Sequence, residues 1–141
     1  MKKKLIRLPI YEQNVMFLLT DKVEDINKIT VYDKIERESF LAMTINDNIK
    51  KKNHKGNTVE NYCIIIALNP ESIYKRLTMG DLAHEVNHAV DYLYERIGEP
   101  IECGNGEPQA YLTGYIMNEL CKFLNIPIYV DEYVGEVKKN K

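Results

Sequence analysis

The segment from Thr78 to Gly98 carries a full set of helix signals, and it limits what the rest of the chain can fold into. Thr78-Met79-Gly80-Asp81 fits a capping box, a hydroxyl at the N-cap with an acid three residues on. Leu82, Val86, Ala89, Val90, Leu93 and Ile97 then recur at steps of three and four, which draws a single apolar stripe. Gly98 follows, with Pro100 just beyond, a common way for a helix to stop. The spacing predicts a helix over 79–97. A helix with one apolar stripe must bury it against another layer, so the remaining chain has to supply a sheet or further helices.

Both are legible. A second helix is expected to begin near Pro108, a residue suited to the first helical position, and to run through Ala110, Thr113, Ile116, Met117, Leu120, Phe123 and Leu124 before Asn125 and Pro127 end it. Upstream, Val15–Leu19 reads as a short strand. Val23, Ile26 and Ile29, with Tyr32 at the same spacing, suggest a short amphipathic helix after Asp21. Phe40–Ile45 reads as a strand closed by the turn-prone Asn46-Asp47-Asn48, and Tyr62–Leu68 as a buried strand stopped by Asn69-Pro70. The loop 50–57 between them holds Gly56-Asn57, so the two strands suggest a long hairpin. Ile128-Tyr129-Val130 suggests a last small strand, with loose termini. The expected architecture is α+β, a single domain over 1–141.

Charge and cysteine usage narrow the function classes. The net charge is −2 and the pI about 5.9, whereas a nucleic-acid binder usually shows a basic balance or face. The lysine runs at 2–4, 50–52 and 138–141 read as solvated tails and a loop tip, so no nucleic-acid partner is expected. Cys63, Cys103 and Cys121 have no paired spacing, which points to a reducing compartment. The basic start is interrupted by Pro9, Glu12, Gln13 and Asn14, unlike a secretory leader, and no stretch approaches the roughly 18 apolar residues that span a bilayer. The expectation is a soluble cytoplasmic protein without a membrane partner.

Within the first long helix stands His84-Glu85-Val86-Asn87-His88. Residues four apart share a helix face, so both imidazoles can turn to one ion, and neutral imidazole suits Zn2+. Glu85 lies about 100° around the helix, where it can reach a water in an open metal position but cannot be a coplanar ligand. Histidine is scarce, three in the whole chain, and two of the three fall in this motif. His84, His88, Asp91 and Glu95 form a polar stripe apart from the core face; a purely solvated stripe is the alternative.

Catalytic zinc usually keeps three protein ligands and one open position. Glu107, at the start of the second helix, is the preferred third ligand, because the short connection ending in Gly104-Asn105-Gly106 lets the two helices pack side by side. Glu102, Cys103, Glu119 and Asp91 are the rivals. His54, in the lysine-rich loop, reads as a surface residue.

The pair H-E-x-x-H over His84–His88 with a downstream acid on a second helix, Glu107, resembles the gluzincin branch of zinc metallopeptidases. Residues 77–85 and 107–112 also look like small zincin-like proteins of phages and prophages, and the specific likeness covers about 77–124. It implies a zincin-like, minigluzincin fold: a small antiparallel or mixed sheet, an active-site helix and a glutamate helix. It also implies His84, His88 and Glu107 as zinc ligands, Glu85 as general base, and Ile64–Leu68 as the edge strand that takes an extended peptide. No His or Asp after Glu107 is clearly placed as the ligand-supporting and oxyanion groups of the larger enzymes; Tyr111 and Tyr115 are the candidate oxyanion donors, with packing as their alternative role. The His88-Ala89-Val90-Asp91 stretch lacks the glycine and third histidine of metzincins. The expected activity is zinc-dependent hydrolysis of a peptide or protein substrate. The alternative from another class is a zincin-shaped protein-interaction module with structural metal or vestigial activity. A third reading is hydrolysis of a non-peptide amide, and a fourth, nucleic-acid binding, has only the lysine runs behind it.

Overall fold

A computed structural model describes residues 1–8, 11–71, 77–99 and 106–126. Within them lie four strands, β1 (Lys2–Leu8), β2 (Gln13–Leu19), β3 (Ala42–Lys52) and β4 (Thr58–Leu68), and three helices, α1 (Val23–Ile29), α2 (Met79–Ile97) and α3 (Glu107–Phe123). The chain is α+β. Its sheet is mixed, in the order β1-β2-β4-β3, with β2 and β4 parallel and the outer pairs antiparallel.

The two inner strands are buried on both faces, and their side chains divide between two cores at the period of two that a strand imposes. Val15 and Phe17 of β2, with Ile64, Ile66 and Leu68 of β4, face α2 and α3. Met16 and Leu18, with Cys63, Ile65 and Ala67, face α1 and Phe40. Burial pushes the Cys63 thiol up to about 12, with Arg96 pulling weakly the other way, so Cys63 acts as a small neutral core residue. Cys121 is likewise buried and free.

Helix α2 has the expected bounds and the expected stripe, with Leu82, Val86, Ala89, Val90 and Leu93 buried. Its capping box is formed: Asp81 N–H donates to Thr78 Oγ1 at 3.1 Å, and Thr78 N–H donates to Asp81 Oδ2 at 2.9 Å. Gly98 ends it in the left-handed region at φ 73°, a conformation that favours glycine. Helix α3 closes similarly, with Asn125 at φ 57° and Ile126 N–H donating to Cys121 O at 2.8 Å. None of the helices among the described residues is long and apolar enough to cross a membrane. Ile128-Tyr129-Val130, Pro127 and the lysines of 138–141 lie outside the described residues.

Four expectations are corrected. The basic start is strand β1, not a solvated tail: Ile6 and Leu8 join the core, and Lys2 Nζ donates to Phe123 O at 2.8 Å, satisfying a carbonyl at the end of α3. Tyr32 lies beyond α1 and is 70% exposed. Strand β3 runs straight through Asn46-Asp47-Asn48 to Lys52, because the Asp47 carboxylate accepts backbone N–H bonds from Tyr32 and Asp33 and thereby anchors a neighbouring segment instead of starting a turn. Finally, Ile64–Leu68 is an interior strand. A run that is apolar on both faces is the mark of a strand covered on both sides; the edges of this sheet are β1 and β3.

The capping box yields a stability test. The Thr78 backbone N–H, with the Thr78 hydroxyl, holds the Asp81 carboxyl below the usual carboxylate range. Because the folded value lies below the unfolded one, the stabilisation is complete above about pH 3.9 and is lost as pH falls through the folded value. Thr78→Ala should cost about 1 kcal/mol at pH 7 in urea unfolding. Asp81→Asn should flatten the acid limb of the stability profile; an unchanged limb would remove this carboxylate from the account.

Candidate metal centre

The stripe that seats α2 on the sheet also sets the direction of its polar residues. With Val86, Ala89 and Val90 fully buried against the sheet, His84 and His88 turn to solvent one above the other. Their Nε2 atoms stand 3.0 Å apart, with ring centroids 4.6 Å apart and planes at 84°. Two imidazole nitrogens on one tetrahedral ion, each at about 2.0–2.1 Å, would be separated by about 3.3 Å. The observed separation is a few tenths of an ångström shorter than that and is itself hydrogen-bonding distance.

Glu85 occupies the seam between helix and sheet and is only 8% exposed. Thr44 of β3 donates its hydroxyl to Glu85 Oε2 at 2.6 Å and lies 3.0 Å from the Glu85 backbone oxygen. A buried carboxylate without such a partner is costly, so this bond both tolerates and orients it. No spacing rule points to Thr44. It stands 41 residues before Glu85, and only the pairing of β3 with β4 brings it there.

Each partner of this bond borders a hollow. One, of about 190 Å³, is lined by Leu41, Ala42, Leu77, Asp81, His84 and Glu85. The other, of about 540 Å³, lies along Met43, Thr44, Ile45 and Asn46 of β3, bounded by Asp33, Lys34, Ile35, Arg37 and Tyr92. Ala42 borders the first and Met43 and Thr44 the second, so the two hollows abut consecutive residues of β3.

The other expected site residues lie elsewhere. Glu107 is exposed at the first turn of α3 and, with Tyr111 and Tyr115, lines a separate cavity of about 1000 Å³ beside Leu8 and Tyr11; neither histidine borders it. Tyr111 and Tyr115 are 76% and 43% exposed, which does not support a packing role. Among the described residues no third His, Cys, Asp or Glu joins the histidine pair in a group able to hold a metal. Of the rivals, Glu119 is engaged by Lys4 at 3.6 Å and Lys122 at 3.3 Å. Asp91 is exposed on α2 and does not join the pair; Glu102 and Cys103 lie outside the described residues. His54 sits in the exposed turn at the far end of the β3–β4 hairpin.

Comparison of the chain with protein-family models, with curated proteins and with solved structures finds no match.

The Thr44 hydroxyl should matter out of proportion to its size. Thr44→Val leaves the buried Glu85 carboxylate short of a donor and should cost about 1–3 kcal/mol in urea unfolding, whereas Thr44→Ser should be close to wild type. Equal stability of the Val and Ser variants would mean that the bond does not position Glu85.

Proposed function

We propose that this chain is a zinc-dependent peptide hydrolase of the gluzincin type, on a zincin-like fold. The observation that carries the reading is the convergence of His84 and His88 Nε2 at 3.0 Å on the same helix as a buried, Thr44-bonded Glu85. His84 and His88 would hold the ion, and Glu107 is the third ligand that the gluzincin resemblance implies, although it borders a different cavity. When bound, zinc lowers the pKa of a water in its open position and polarises a substrate carbonyl.

The chain's own residues supply the rest. Glu85 accepts the proton of the attacking water at its carboxylate and returns it to the leaving amine. Thr44 fixes the direction of that carboxylate, and the low exposure of Glu85 keeps bulk water from competing for it. The substrate lies extended along β3, adding to the open edge of the sheet so that its backbone passes Thr44 and Glu85. The hollow beside His84 is small, about 190 Å³ against the roughly 300–1,000 Å³ of an enclosing ligand pocket. An edge-bound peptide suits such a site better than an engulfed small molecule.

A second reading, a zincin-shaped interaction module, is favoured by one observation: Glu107 lies apart from the histidines and borders a different cavity.

The deciding experiment measures bound zinc and hydrolysis of a peptide library by wild type and Glu85→Gln. Zinc at about one per chain is expected in both, with hydrolysis lowered by about 10²- to 10⁴-fold in the variant. His84→Ala and His88→Ala should each lose the metal. Zinc binding without turnover in wild type selects the interaction module, and protein that takes up no zinc on titration defeats both readings.

A further inference from the structure

The β3–β4 hairpin outgrows the sheet. Pairing of β2 with β4 stops at Asn14 opposite Cys63, while β3 and β4 continue together to Lys52 opposite Thr58. Five residues of each strand therefore form a two-stranded arm about 17 Å long. Its turn is tightly built. Asn53 N–H donates to Asn57 O at 2.9 Å, Asn53 Oδ1 accepts from the backbone of Lys55 and Asn57 at 3.0 Å each, and Gly56 takes φ 81°.

This arm is one of the positive segments of an acidic molecule. Residues 50–60 carry Lys50, Lys51, Lys52 and Lys55 against Glu60, a formal +3, which leaves −5 for the rest of a chain whose total is −2. All four lysines are exposed, and among the described residues none of their ammonium groups has a hydrogen-bond or ion-pair partner. Glu60 is occupied by the Tyr32 hydroxyl at 2.9 Å and by Asn48 Nδ2 at 3.4 Å.

The face of the arm toward α2 adds an aromatic surface. Asn48 pairs directly with Tyr62, so Tyr62 shares a face with Lys50 and Lys52, two and four residues beyond Asn48. Tyr62 is 65% exposed. One side of its ring is backed by the Arg96 guanidinium, 4.9 Å from the ring centre. Arg96 Nη2 is in turn held by the carbonyls of Asp47 at 2.8 Å and Cys63 at 3.4 Å. No carboxylate forms an ion pair with that guanidinium among the described residues and its Nη1 is buried without an acceptor, although the Asp47 carboxyl lies near enough to favour its charge. Burial still lowers its pKa.

We propose that the arm binds single-stranded nucleic acid, with Lys50, Lys51, Lys52 and Lys55 on the phosphates and a base stacked on the open face of Tyr62. Unpaired lysines beside an exposed aromatic ring are the combination that takes a single strand without regard to sequence. A duplex would keep its bases from the ring. A lipid surface is disfavoured because the tip from Lys50 to Thr58 holds no apolar side chain to insert.

The test is fluorescence anisotropy with a labelled 20-residue oligothymidylate, titrated with the full chain between 50 and 200 mM salt. With four phosphates neutralised, log K should fall with log salt at a slope of about −3, roughly a 50-fold loss over that range. Lys50→Ala with Lys52→Ala should reduce the slope by about 1.4. Tyr62→Leu should weaken binding by about tenfold at unchanged slope, and Tyr62→Phe should retain it. Circular dichroism of each variant establishes that it is folded. The proposal is overturned by an absence of binding at 50 mM salt, by equal affinity of Tyr62→Leu and wild type, or by tighter binding to a matching duplex, to polyglutamate or to phosphatidylserine vesicles.

Discussion

The parallel pairing of β2 with β4 is the constraint on which the other elements depend. Two adjacent strands with both faces buried demand a layer on each side, and Val15, Phe17, Ile64 and Ile66 present the broader surface to α2 and α3. The rotation of α2 about its axis follows from that surface. With Val86, Ala89, Val90 and Leu93 all fully buried, the helix cannot turn without exposing them. Removing even one such side chain costs several kcal/mol in a well-packed core. The histidines then have one direction left, outward, and Glu85, one residue from His84, falls at the seam with β3. The site is thus a by-product of where a helix must sit to cover a sheet.

That seam explains why Glu85 and Thr44 belong together. A carboxylate at the edge of an apolar stripe has either to reach water or to find a donor, and β3 offers a hydroxyl at 2.6 Å. The contact also joins the helix to β3, an edge strand of the sheet. In its proposed role as general base, Glu85 would need a fixed direction more than a strong partner. A hydroxyl supplies that without neutralising the carboxylate, as an arginine or lysine would.

The parts legible in the sequence are those whose signals are local. The capping box, stripe and terminal glycine of α2, the helix behind Pro108, and the apolar run of β4 all follow from contiguous residues. The misreadings share a different cause. Asn46-Asp47-Asn48 has turn composition, but Asp47 spends its acceptors on Tyr32 and Asp33, which no window around Asp47 contains. Lys2–Lys4 looks like a tail until Lys2 meets the Phe123 carbonyl 121 residues away. The gluzincin resemblance implied an edge position for Ile64–Leu68, although its two-faced apolarity argues for the interior. Of the candidate site, the two histidines and the glutamate were readable from spacing in one helix. Thr44 and the separation of Glu107 from the histidines are matters of topology between elements.

Strand β3 unites these features along its length. Its outer side is tied down in the middle, where Thr30 bridges to Ile49 and the Asp47 carboxylate holds the turn after α1. Before that tie, residues 43–46 face a hollow, and after it the strand runs out into the arm. An exposed strand edge is a hazard that proteins usually cover or charge. Here residues 33–37 border the hollow along 43–46 but, among the described residues, make no backbone hydrogen bond to that stretch, and charge is concentrated at the other end, on Lys50–Lys52. On the proposed reading, this hollow is where an extended chain has to lie if Thr44 and Glu85 are to act on it.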